Sequence, residues 1–266
     1  MTIKTIAWAA AAGLLVSTVA ACTTQPAMAP DHVSALKSGE IAVVTPARGV
    51  VFVKRRSNGT AAFAGFFGGA IGVAIAGAAE AAQGPPLAAR NPFFKPYGKQ
   101  IERLPVRSDL LGVARSAASD VAWIGGPTAV KGYHRSLTTG EMQRITQENP
   151  VNATAFMQTV VFFSPDLRKL EVAATMSVFA HGSAHAVPLD GGRLLASTTL
   201  AKTTPELSAT GVEAIAASKR TDKSSKSARA EVWLAHGGAR FRQALHADLK
   251  QLQAALVNYL NGRRSG

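Results

Sequence analysis

Hydrophobic and polar positions divide the chain into blocks of different period. Glu40-Ile41-Ala42-Val43-Val44-Thr45 is a short apolar run that reads as a buried strand, and Gly49 to Lys54, with Val50, Val51, Phe52 and Val53, reads as a second extended piece. From a cap at Ser108 or Asp109, Leu110, Leu111, Ala114, Ala117, Ala118 and Val121 recur at helical spacing and predict a helix to about Val121. Trp123-Ile124 then enters a Gly125-Gly126-Pro127 turn. Thr154 to Phe163 is apolar and β-branched, and Ser164-Pro165-Asp166-Leu167 is turn chemistry. Lys169 to Phe179 alternates, with Leu170, Val172, Ala174, Met176 and Val178 on one face and Glu171 and Thr175 on the solvent face. This predicts an antiparallel hairpin, joined after Gly191-Gly192 by a third strand over Arg193 to Ala201. Phe241, Leu245, Leu249, Leu252, Leu256 and Leu260 form one helical stripe in a helix from about Ala230 to Leu260, with Gly237-Gly238 placed to bend or interrupt it. The predicted class is α+β: a small, mostly antiparallel sheet packed on helices, with a long C-terminal amphipathic helix.

Residues 60–83 depart from these patterns. The segment is small and apolar and meets no charge from Thr60 until Glu80, with Gly65, Gly69 and Gly77 in one row and Gly68, Gly72 and Ala76 in a parallel one. A helix lays each row along one face, where small side chains let a second helix approach to backbone contact. The pattern is that of an apolar glycine-zipper helix, with Gly65, Gly68, Gly69, Gly72 and Gly77 as its packing positions. Glycine costs roughly 1 kcal/mol relative to alanine in a helix, so packing or lipid must compensate. The uncharged stretch from Ala61 to Ala79 just reaches membrane-spanning length, though alanine and glycine dilute its hydrophobicity. A membrane-inserting or oligomerising helix, a buried or surface-docked hairpin and a mobile loop all stay open.

The first 22 residues follow another plan: a basic start at Lys4, an apolar run from Ile6 to Val16, then Val19-Ala20-Ala21-Cys22. This is the layout of a secretory signal peptide, its apolar run too short to span a bilayer. Cys22 is the only cysteine, so no internal disulfide can form. The end of the segment resembles a bacterial lipobox, which implies that residues 1–21 are a cleaved signal and that Cys22 is the acylated first residue of an outer-membrane lipoprotein. Thr23 stands where that family's inner-membrane retention signal places Asp, which implies the outer membrane, on its periplasmic face. Thr23 to Pro30 is small and polar with two prolines and suits a tether, and Asp31 to Leu36 reads as a short helical turn stopped by Gly39. The expected organisation is a lipidated tether over 22–39 and a single α+β domain over 40–266, with the zipper inserted at 60–83. By order of elements the domain is similar to the sheet-and-helix domain of peptidoglycan-synthase activator lipoproteins and to the curli-secretion lipoprotein. The zipper resembles that of glycine-zipper outer-membrane lipoproteins, which carry two such helices where this chain shows one.

A formal net charge of +13 would ordinarily raise nucleic-acid binding. Export argues against it and leaves phospholipid head groups, lipopolysaccharide and peptidoglycan as the anionic surroundings. Lys219 to Arg229, basic among serines, reads as a solvated linker. Phe93, Phe94 and Tyr97 beside Lys95 and Lys99 suit either a membrane interface or the edge of a core. His181 and His185 have a metal-ligand spacing, but in a Gly/Ser turn with no acidic partner, so no metal site is assigned. There is no nucleophile elbow, Walker loop or Rossmann fingerprint, and no acidic pair is placed for proton transfer. The chain reads as a non-enzymatic envelope lipoprotein with no cofactor and no nucleic-acid partner. Its expected partners are the membrane through Cys22, a periplasmic protein or envelope polymer, and further copies through the zipper. The alternative is a membrane-inserting or pore-forming oligomer of zipper helices.

Overall fold

The computed structural model describes residues 27–45, 50–52, 92–135, 137–164, 166–181, 187–189, 192–205, 207 and 222–263. Its strands are β1 (Gly39–Val44), β2 (Val50–Phe52), β3 (Val130–Tyr133), β4 (Ala153–Phe163), β5 (Leu170–Ala180), β6 (Val187–Leu189) and β7 (Gly192–Thr203). Its α-helices are α1 (Pro30–Ser34), α2 (Gly98–Glu102), α3 (Val106–Ser119), α4 (Thr139–Glu148) and α5 (Asp222–Leu260). One sheet runs in the order β3-β1-β4-β5-β7-β6, with β2 also paired to β4. The long pairs β4/β5 and β5/β7 are antiparallel, whereas the shorter β1/β3, β1/β4 and β2/β4 pairs are parallel. The class is α+β with a mostly antiparallel sheet and a long C-terminal helix, as the sequence predicts, and the short parallel pairs of β1, β2 and β3 extend it at one side.

Alternation sorts the core residues onto two faces. On the inner face Met157, Val161, Phe163, Leu170, Val172 and Met176 pack with Ile41 and Val43 against α3 and α5. On the outer face Ala42, Val44, Phe156 and Phe179 form a second, smaller core with Leu137 and Met142, the latter from α4. The face expected to meet solvent is therefore largely covered, and Thr175 is buried at 4 % exposed.

The start of α4 is fixed by a capping box. Thr138 accepts from the Glu141 backbone while the Glu141 carboxylate accepts from the Thr138 N–H, satisfying two orphan donors. The hydrogen bond from the Thr138 N–H, and then the one from Arg135, hold the Glu141 carboxyl below its ordinary range.

Three boundaries differ from expectation. Helix α3 begins at Val106 and not at a cap on Ser108 or Asp109; the Ser108 hydroxyl instead donates to the Pro105 carbonyl at 2.8 Å. The basic stretch expected as a linker is helical from Asp222, because Ala228 and Ala230 are fully buried on the face that α5 turns inward. The folded part begins well before residue 40, since Met28 and Leu36 belong to the main core. Within α5 the helix is broken at Ala235–Gly238, where Gly237 and Gly238 take φ of +70° and +76°, a region glycine enters without steric cost.

Gly39 shows how tightly the first strand is seated. A Cβ there would lie 2.3 Å from a ring carbon of Trp123, which is itself 5 % exposed. Gly39→Ala is expected to destabilise by about 1–3 kcal/mol through overpacking. Gly140→Ala, where nothing lies within 4 Å of the added carbon, should be neutral or mildly stabilising. Urea denaturation of both variants checks the contrast.

Candidate functional site

The residues singled out by sequence for lipid attachment and helix packing, Cys22, Gly65, Gly68, Gly69, Gly72 and Gly77, lie outside the described residues, as does His185. What the described chain builds is the seat at which its N-terminal part joins the fold. Helix α5 ends in a Schellman motif: the Arg263 N–H donates to the Asn258 carbonyl at 2.8 Å and the Gly262 N–H to Tyr259 at 3.0 Å, with Gly262 at φ +67°. Other parts of the chain add hydrogen bonds to this terminus. The Met28 N–H donates to the Tyr259 carbonyl at 3.1 Å, the Trp123 indole to the Leu260 carbonyl at 3.0 Å, and the Asn261 amide to the Asp120 carbonyl at 2.9 Å. A Cβ at Gly262 would come within 2.9 Å of the Met28 carbonyl oxygen, so glycine is needed both for the left-handed turn and for the close approach. Met28 is 2 % exposed.

A second polar group joins three elements on the outer face. Glu40, 3 % exposed, pairs with the Lys131 ammonium at 2.7 Å and accepts from the Asn149 amide, whose oxygen lies 3.2 Å from the same ammonium. This ties β1 and β3 to the end of α4, and gives the buried carboxylate both an ion-pair and a hydrogen-bond partner. His181, one half of the histidine pair, bonds through its ring to the Thr146 carbonyl in α4. Among the described residues no group of three or more His, Cys, Asp or Glu could hold a metal ion. The aromatic cluster resolves toward the core: Phe94 is fully buried and stacks on Phe163 at 5.1 Å, while Phe93 and Tyr97 pack at its margin.

Asp248 is a second buried acid among the described residues, and it lacks partners of the kind Glu40 has. It occupies the apolar face of α5, three residues after Leu245 and four before Leu252, is 1 % exposed, and its Oδ2 has no hydrogen-bond partner among the described residues. Burial, and then the nearby Glu171 charge, push its carboxyl up to about 6, with Lys202 partly opposing them. The raised affinity for a proton has a consequence for stability. The folded state holds the proton more tightly than the unfolded chain, so stability should fall as pH rises from about 4 to about 6 and stay low above that. Asp248→Asn should remove that slope and stabilise the protein at pH 7; thermal melts between pH 4 and 8 test it.

An acid interrupting an otherwise leucine-lined helical stripe was a readable signal, as was Thr138-Thr139-Gly140-Glu141 as a helix start. The Met28 seat had no such signal, since it depends on residues far apart in the chain. Among the described residues no helix is long and apolar enough to cross a membrane. The chain matches no protein-family model, no curated protein and no solved structure.

Proposed function

We propose that this is a lipid-anchored protein of the cell envelope, attached through Cys22 to the periplasmic face of the outer membrane and working there without catalysis as a structural or interaction module. The observation that carries the reading is the order of features at its start: a signal-type segment ends at the sole cysteine, and six residues later Met28 is already in the core. Six residues span at most about 20 Å. An acyl group on Cys22 would therefore hold the domain close to the bilayer, with the C-terminal end of α5 nearest to it. The net positive charge supports a location beside anionic head groups and polymers. One acyl chain anchors only marginally, so stable attachment calls for the several chains that the lipobox resemblance implies.

Fractionation tests the proposal. The wild type should sediment with membranes and resist high salt, leaving only with detergent. Cys22→Ser should appear in the soluble fraction or accumulate as uncleaved precursor. A Cys22→Ser protein that is processed and still sediments would overturn the lipid anchor.

A further inference from the structure

On the outer face of the sheet, α4 covers only one end. There Met142 accepts a hydrogen bond from the Gln158 amide at 3.5 Å, and the cluster it joins contains Phe156 and Phe179. At the other end of the same face Val160, Phe162 and Ala173 are 4 %, 6 % and 1 % exposed, yet they belong to neither apolar cluster formed by the described residues. Alternation along β4 and β5 places these three on the face away from α3 and α5.

The chain itself leaves from this end. Strand β2 stops at Phe52, paired with Phe163, and the described chain resumes at Pro92, where Phe94 stacks on the Phe163 ring. Both ends of residues 53–91 therefore meet the sheet at one residue of β4. Residues 208–221 also begin near here, after β7 pairs Thr203 with Glu171, but they carry Glu213, Lys219 and Arg220. Residues 61–79 carry no charge, three phenylalanines at 63, 66 and 67, and glycines that permit close approach to a backbone. Their chemistry matches an apolar sheet face of valine, phenylalanine and alanine.

We infer that the glycine-rich segment 61–79 docks on the outer face of β4 and β5 over Val160, Phe162 and Ala173, completing the core of its own chain. This inference does not depend on the lipid anchor. It assigns the small-residue rows to approach against the sheet and gives the segment's hydrophobicity a use within the monomer.

The test is photocrosslinking in the full-length protein, in its native envelope. Benzoylphenylalanine replaces Phe162, and in a second variant Phe66, so that failure of one variant to fold leaves the other. The expected result is an intramolecular link in each case: from position 162 to peptides within 61–79, and from position 66 to peptides of β4 or β5. Links from position 162 to residues 208–221 would overturn the proposal. So would links from either position to a second copy of the chain or to lipid, which are the outcomes of an oligomerising or membrane-inserted zipper, and so would the absence of any link from position 66 to the sheet.

Discussion

Trp233→Ala is expected to destabilise the fold by about 3–5 kcal/mol, a large fraction of the 5–15 kcal/mol typical of a domain. The indole is fully buried, and its ring centroid lies 5.7 Å from that of Phe163, which is in turn 5.9 Å from Phe241 and stacked on Phe94. Its N–H also donates to the Leu167 carbonyl at 2.8 Å. Leu167 sits in the β4–β5 turn at φ +60°, a strained position for a branched residue, and is itself fully buried. The alanine variant removes one ring from this four-ring cluster, with its contact to Phe163, and the partner of a strained turn together. Trp233→Phe keeps most of the ring contact and loses the hydrogen bond, so it should cost about 1–3 kcal/mol. Chemical denaturation of the two variants separates the contributions; equal losses would mean that the turn contact outweighs the packing.

Leu252→Ala is expected to cost about 2–5 kcal/mol. The residue is fully buried in the main core, on the stripe that runs from Phe241 to Leu260. Leu249→Ala, at 3 % exposure, should fall in the same range. Unchanged melting temperatures for both would show that the second half of α5 rests loosely on the sheet.

That stripe is also where the sequence was most legible. A spacing of three and four residues needs only local geometry to be recognised, and every member of the stripe is buried. The β4–β5 hairpin was readable for the same reason, because alternation and a Ser-Pro-Asp turn are local signals. The parallel pairs of β1 with β3 and β4 were not, because parallel partners are joined through long connections and leave no mark at either strand. Thr175 was misplaced on a wet face because alternation reports which side a residue faces, and whether that side is covered depends on the rest of the chain. The candidate site divides in the same way. The proposal for Cys22 rests on a local motif outside the described residues, whereas the seat of Met28 on Tyr259, with Trp123 on Leu260 beside it, joins parts of the chain more than one hundred residues apart.

The lipid anchor is the claim on which the functional account depends, and intact mass spectrometry of the protein extracted from envelopes tests it most directly. The account predicts a chain beginning at Cys22 whose mass exceeds that of residues 22–266 by several acyl groups, with the added mass on the N-terminal peptide. A mature chain that begins elsewhere, or one that begins at Cys22 with no added mass, would contradict it.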